Sequence, residues 1–160
     1  MLSKFLLLIL RFCISGWVGA AILFVILTVQ EIRLGQFESI LLDRLILIRF
    51  PIYYTFSFAM IGLASLSGSL YCTLFPALRS TKIGVSLILL TLLIMVGDYL
   101  FVYSELANML QPVGSPRPHN FHGYHVLTER LNALAVLMGI AGAIPVNWGE
   151  ASRKGEPSQS

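Results

Sequence analysis

The sequence predicts an all-α fold: a polytopic membrane bundle of four helices, with a short interfacial helix between the first and second spans. Two observations carry this prediction. Only 12% of the 160 residues are charged, whereas soluble domains carry about 25%. The apolar residues fall into four runs, each close to the roughly 20 residues that a helix needs to cross a bilayer. The length leaves no room for a separate soluble domain, and the lipid bilayer is the expected partner.

The charge and the cysteines exclude some functions. The net charge of +3 matches the usual excess of lysine and arginine in membrane loops, and no basic stretch is interleaved with aromatic residues, so nucleic acid is not an expected partner. Cys13 and Cys72 lie inside apolar runs without CxxC spacing. We expect them to act as small apolar side chains, with a disulfide or redox pair as the alternative.

The first span is predicted over residues 5–29. Arg11 interrupts the apolar run near its start, but the run continues well beyond the roughly 7–15 residues of a secretory signal. We therefore expect a spanning helix in which Arg11 extends to the head groups. Gly16 and Gly19 each belong to a pair of small residues four apart, the spacing at which membrane helices approach closely.

The interfacial helix is predicted over residues 30–50. Its charges surround two short apolar stretches, and Asp43 and Arg44 separate these stretches. The apolar residues are too few to span, so we expect the segment to lie at the membrane surface. Pro51 is predicted to end it, because a proline disfavours helix at the residue before it and suits the first turn of the next helix.

The second and third spans are predicted over residues 52–74 and 83–103. Ala64 and Gly68 are four apart and predict a packing seam in the second span. The third span contains Asp98, about five residues or 7–8 Å from its end. A carboxyl group costs roughly 2.5–3.5 kcal/mol at the membrane centre and less near the edge. Asp98 is therefore predicted to face inward and to find a partner, for which a tyrosine hydroxyl, His125, Arg130 and Arg49 are the candidates.

The fourth span is predicted over residues 124–146, directly after the three histidines of the chain. His122, His125, Glu129 and Asn132 follow at intervals of three, four and three, which places them on one helix face. The same face continues through small residues that include Gly139. Residues 1–149 form one transmembrane domain in this interpretation, and residues 150–160 form a polar, disordered tail.

An antiparallel arrangement of four spans brings the polar residues to one side of the membrane. The end of the third span meets the start of the fourth there, beside the end of the first and the start of the second. The predicted polar network comprises Asp98, His125, Thr128, Asn132, Arg49, Tyr53 and Tyr54.

Three hypotheses explain this network. In the first, it fixes the register of the helices in a small bundle protein of accessory or scaffold type. In the second, His122 and His125, with Glu129 or Asp98, bind copper, zinc or haem. In the third, Asp98 belongs to a pathway for protons or solutes. No motif of a nucleophilic or phosphate-binding enzyme is present, so no catalytic residue is predicted and an enzyme is the less favoured interpretation.

Three short motifs resemble a known family. These are W-V-G at residues 17–19, R-F-P-I-Y-Y at 49–54 and F-x-x-x-H-x-x-T-x-x-x-N at 121–132. They are similar to motifs of the small four-span membrane family catalogued as domain of unknown function 4149, and more distantly to the membrane domain of copper-resistance protein D. The match covers residues 10–146, with Val126 where the family has glycine. The residues that fit are Trp17, Gly19, Phe50, Pro51, Tyr53, Tyr54, His125, Thr128 and Asn132.

The resemblance implies a four-helix membrane bundle without settled biochemistry, and its distant copper-resistance relatives favour the metal hypothesis by analogy. A membrane-protein partner and a homo-oligomer both remain open. Four spans place both ends of the chain on one side of the membrane. Basic residues number six on that side, with Arg11 included, against five on the other, and this count favours cytoplasmic termini.

Overall fold

The computed structural model describes residues 1–35 and 37–148, and these form an all-α bundle. The predicted tail at 150–160 lies outside the described residues. Four of the helical segments are long and apolar enough to cross a membrane, which confirms the predicted class of polytopic membrane bundle. The helices are α1 (Leu2–Leu34), α2 (Ser39–Leu74), α3 (Arg79–Asp98), a π-helical turn (Tyr99–Tyr103), α4 (Ser104–Met109) and α5 (Phe121–Trp148).

The second span differs from its prediction, because α2 runs through Pro51 without ending. The segment predicted as a separate interfacial helix is the first part of α2. At 1.5 Å per residue, its 36 residues extend about 54 Å, which exceeds the roughly 40–45 Å of a whole bilayer. The prediction of a separate interfacial helix that ends at Pro51 is therefore wrong, because residues 39–50 continue the second span as one helix.

Aromatic packing explains why the helix continues at Pro51. A proline inside a helix costs about 3 kcal/mol. Phe50 directly before it contacts the rings of Phe24, Tyr54 and Tyr103 at centroid distances of 5.2, 6.4 and 5.5 Å. Tyr53 stacks on Phe24 at 4.5 Å. Such pairs contribute about 0.5–1.5 kcal/mol each, so together they offset the proline.

The four long helices form a closed ring in which α1 contacts α2 and α5, and α3 contacts α2 and α5. Cys13 is buried in the core and the half-buried Cys72 packs against this core, both as free thiols. Side chains from all four helices fill the core. Its fully or almost fully buried members include Leu10, Ile14, Trp17, Ile61, Ala64, Ile88 and Val146.

Glycines allow the closest helix approaches. A Cβ at Gly139 would overlap the ring of Trp17, and a Cβ at Gly68 would lie 2.8 Å from a methyl group of Val85. A Cβ at Gly16 would lie 3.0 Å from the methyl group of Met60. These contacts are the physical reason for small residues at these positions, since membrane helices associate through close packing rather than through apolar burial.

Two further glycines differ from the predicted packing pattern. A Cβ at Gly19 would meet nothing within 4 Å among the described residues, so the packing role predicted for Gly19 is not seen. Conversely, a Cβ at Gly84 would lie 2.8 Å from the backbone oxygen of Gly142. This pair marks a crossing of α3 and α5 that the four-residue spacing of small residues did not reveal.

The start of α1 and the end of α5 meet at one end of the bundle. Arg11 Nε donates to the backbone oxygen of Val146 at 3.1 Å, and Asn147 Nδ2 donates to Ser15 Oγ at 3.3 Å. The last carbonyl groups of a helix lack partners within the helix. Arg11 therefore supplies a donor to the end of α5, rather than only extending to the head groups as predicted.

Two ion pairs hold the opposite end. Arg49 on α2 pairs with Glu31 on α1. Arg117, in the loop before α5, donates to Asp43 Oδ1 at 2.7 Å, and its guanidinium lies 4.7 Å from the ring centroid of Phe121. Asp43 is only 5% exposed, so Arg117 compensates a carboxylate that water scarcely reaches.

Replacing Arg117 with alanine is expected to lower the free energy of unfolding in detergent by about 1–2 kcal/mol, because a partly buried hydrogen bond to a charged group is lost. Chemical denaturation of the purified variant measures this. Adding Asp43→Asn to the Arg117→Ala variant is the control. The second substitution removes the uncompensated charge and should restore part of the loss. Unchanged stability of Arg117→Ala would show that the pair contributes nothing.

Candidate functional site

The centre of the polar site is Asp98, which is 1% exposed. Its Oδ2 atom accepts three hydrogen bonds from two other helices. Tyr54 Oη on α2 donates at 2.5 Å, Asn132 Nδ2 on α5 at 2.8 Å, and Thr128 Oγ1 on α5 at 3.0 Å. One carboxylate oxygen thus links α2, α3 and α5.

Local structure places each donor. Thr128 and Asn132 are four residues apart on α5, so their side chains lie on one face. Asn132 Nδ2 also lies 3.0 Å from the backbone oxygen of Thr128 and 3.3 Å from Tyr54 Oη. Tyr54 lies in the first turn after Pro51 and is fully buried. Because α2 continues through Pro51, it positions Tyr54, which forms the shortest of the three hydrogen bonds to Asp98.

A π-helical turn follows Asp98 directly. In this turn the Ser104 backbone N–H donates to the carbonyl oxygen of Tyr99, five residues earlier. π-Helical turns occur frequently at functional sites, because the wider turn redirects side chains. Here Tyr99 and Tyr103 both face Tyr54, with ring centroids at 5.1 and 5.0 Å. An aromatic layer thereby packs around the ring whose hydroxyl bonds Asp98.

The second carboxylate oxygen of Asp98 has no such partners. Oδ1 is buried and, within the part of the chain that the structure describes, forms no hydrogen bond. Buried polar atoms are nearly always satisfied in folded proteins, and an unsatisfied one calls for a physical reason. Within the described residues, Oδ2 of this carboxyl group therefore accepts three hydrogen bonds and Oδ1 accepts none.

Three residues of the predicted network lie elsewhere. His125 Nδ1 is 3.5 Å from Glu129 Oε1 on its own helix. Arg49 pairs with Glu31. Tyr53 stacks on Phe24. These groups interact with nearby residues at the end of the bundle or in the core, whereas Asp98 is bonded by Tyr54, Thr128 and Asn132.

The structure does not bring together the residues of the metal hypothesis. His122 and Glu129 are exposed, whereas Asp98 is buried and bonded by a tyrosine, a threonine and an asparagine. Across residues 1–35 and 37–148, no three side chains of His, Cys, Asp or Glu are grouped so that they could hold a metal ion. The geometry therefore gives no support to a copper or zinc site held by three of these residues.

Sequence reasoning missed the partner of Trp17. The indole is fully buried, and its Nε1 donates to Ser57 Oγ at 2.9 Å, while Ser57 Oγ donates to the backbone oxygen of Tyr53 at 2.7 Å. The available signal was a tryptophan inside a span, away from the interfaces where tryptophan is usual. A buried indole N–H generally has a partner, and serines of the next span were the nearest candidates.

Sequence reasoning also missed a groove of about 800 Å³ at the end of the bundle that holds the histidines. The groove lies between the π-helical turn and the start of α5. Its walls combine apolar side chains with His119, Asn120, His122 and Tyr124. His125 and Glu129 do not line it.

Comparisons of the chain with protein-family models, with curated proteins and with solved structures found no match.

Proposed function

We propose that this integral membrane protein acts as a small non-catalytic bundle of accessory or scaffold type. The observation that carries the proposal is the three-helix linkage at Asp98 Oδ2. Three hydrogen bonds converge on one atom from Tyr54, Thr128 and Asn132. Within a membrane such bonds fix the relative positions of helices. A rigid helix arrangement gives an accessory protein a constant surface on which lipid or another membrane protein can bind.

The resemblance to the family of unknown function 4149 is retained as part of the proposal. Trp17, Tyr54, Thr128 and Asn132 carry that resemblance, and all four lie in buried or half-buried contacts. This location favours a shared structural role for the motifs. Cytoplasmic chain termini are likewise retained as a proposal, on the count of basic residues.

The accessory role is tested by the size of the protein in its own membrane. Extraction in a mild detergent followed by native gel electrophoresis should show it in a complex larger than the detergent-bound single chain. Cross-linking before extraction should then separate a homo-oligomer from a complex with a different membrane protein. A single chain under all mild conditions would contradict the accessory role.

A second function is favoured by the unused oxygen of Asp98. Among residues 1–35 and 37–148, no hydrogen-bond partner reaches the buried Oδ1. Ionisable residues inside membranes often mark pathways for protons or ions. In this alternative, Oδ1 is the atom that receives the transported proton or small solute. Tyr54, Thr128 and Asn132 hold the carboxyl group in place through its other oxygen.

Proteoliposomes test this alternative. A pathway centred on Asp98 predicts proton flux under an imposed pH gradient that disappears in Asp98→Asn, which retains the shape of the side chain but not its acid group. The control is Glu129→Gln, since Glu129 is an exposed carboxylate on α5. Equal flux in wild type and Asp98→Asn would remove the pathway and leave the architectural function.

A further inference from the structure

The groove beside the histidines has a polar end and an apolar end. His119, Asn120 and His122 lie at one end, before and within the first turn of α5. Phe101 and Leu127 line the rest and are 74% and 45% exposed. None of the described residues that line the groove is acidic. The lining thus changes from polar to apolar along the groove.

The length of α5 places the change from polar to apolar lining at the boundary between the lipid head groups and the hydrocarbon core. Its 28 residues extend about 42 Å at 1.5 Å per residue, which matches the roughly 40–45 Å of a bilayer with its head groups. Trp148, at the far end of α5, is 75% exposed, as is typical of the aromatic belt at an interface. The first turn of α5 therefore lies at head-group level, and Leu127 lies about 9 Å deeper.

We propose that this groove binds one glycerophospholipid of the surrounding bilayer. The imidazoles of His119 and His122 and the amide of Asn120 donate to the lipid phosphate. The first part of an acyl chain lies along Phe101 and Leu127. A phospholipid has its phosphate on the head-group side of this boundary and its hydrocarbon chains on the other side, so it matches both parts of the groove. The absence of carboxylates from the lining suits its negative charge.

Gly123 offers a direct way to close the groove. It lines the groove, and a Cβ there would meet nothing within 4 Å among the described residues. Gly123→Leu should therefore fill the space without disturbing the bundle, and it replaces a poor helix former with a good one. Gly19→Leu is the matched control, because Gly19 is also a helical glycine with open space around its Cβ and lies on α1, away from the groove.

The experiment uses the full chain in nanodiscs of dioleoyl phosphatidylcholine and dioleoyl phosphatidylglycerol, followed by native mass spectrometry after transfer to detergent. Wild type and Gly19→Leu should retain one phospholipid per chain. Gly123→Leu should retain it at least roughly tenfold less, because the site is filled. The double variant His119→Ala and His122→Ala should lose affinity by a similar factor, as expected when hydrogen bonds to a charged group are removed. His125→Ala, outside the groove, should behave as wild type.

Several results would overturn the proposal. Equal retention in wild type and Gly123→Leu would show only bulk lipid on the surface. Equal loss of lipid in a Gly19→Leu variant that remains folded would show that lipid retention does not depend on the groove. If wild type is a dimer and Gly123→Leu is a monomer that still retains lipid, the groove binds a second copy of the chain and not a phospholipid. Thermal stabilisation by inorganic phosphate equal to that by dihexanoyl phosphatidylglycerol would indicate a site for a free anion. None of these results depends on the accessory role.

Discussion

Replacing Asp98 with leucine is expected to lower the free energy of unfolding in detergent by about 2 kcal/mol or more. Leucine cannot accept the hydrogen bonds that Tyr54, Thr128 and Asn132 now donate to Oδ2. Each buried donor left without an acceptor costs about 1–3 kcal/mol. Removal of the buried carboxyl group relieves at most about 2.5–3.5 kcal/mol. Near the middle of these ranges, the cost of three unsatisfied donors exceeds the relief from removing the carboxyl group. The expected net effect is therefore a loss of stability, and titration with a denaturing detergent measures it.

Asp98→Asn is the decisive comparison. The amide oxygen of asparagine can occupy the place of Oδ2 and accept the same three hydrogen bonds. Its NH₂ group takes the place of Oδ1, for which the described residues offer no hydrogen-bond partner, so this group has its own desolvation cost. Asparagine retains the acceptor for all three donors and removes the buried acid, so it should be more stable than the leucine variant. Equal stability of the two variants would show that the three hydrogen bonds do not fix the bundle.

The spans and the inward position of Asp98 were predictable because both follow from placing the chain in a lipid bilayer. Long apolar runs have one favourable place, the bilayer, and a carboxyl group within such a run must find hydrogen-bond donors. A tyrosine hydroxyl was a predicted partner for the same reason. Asn132 was in the predicted network through the helix face that it shares with the histidines, and Thr128 through the motif at residues 121–132. Their spacing relative to the helix ends brings them to the depth of Asp98.

The charged partners proposed for Asp98 were the less predictable part. Arg49 and His125 have nearer acidic groups, Glu31 and Glu129, with which they interact at the end of the bundle. Spacing along a helix predicts which residues share a face, but not which of two carboxylates a cation prefers. That choice depends on the distances between helices, and these emerge only when the helices are packed.

The continuation through Pro51 and the π-helical turn were also beyond sequence reasoning. Both depart from local preference and both place aromatic rings around Tyr54. The energy that compensates them comes from contacts between residues far apart in the chain, such as Phe24 with Phe50. Local departures of this kind are expected where a site needs a particular geometry.

Replacing Gly139 with alanine is expected to destabilise the bundle by about 1–3 kcal/mol, the usual range for overpacking a well-packed core. The added methyl group would overlap the indole of Trp17. That ring cannot move away easily, because it is fully buried and its Nε1 is bonded to Ser57. Gly19→Ala is the matched control, since open space surrounds its Cβ, and its stability should be unchanged or slightly raised.

A double-mutant cycle shows whether the loss comes from this contact. Trp17→Phe alone should cost at least about 1 kcal/mol, because the hydrogen bond to Ser57 is lost and the smaller ring leaves a cavity in the core. In the presence of Gly139→Ala the smaller phenyl ring leaves room for the methyl group. The double variant should therefore be more stable than the sum of the single changes by at least about 0.5 kcal/mol, the coupling typical of residues in contact. Strict additivity would place the damage elsewhere along α5, and the contact between Trp17 and Gly139 would then not determine how α1 and α5 pack.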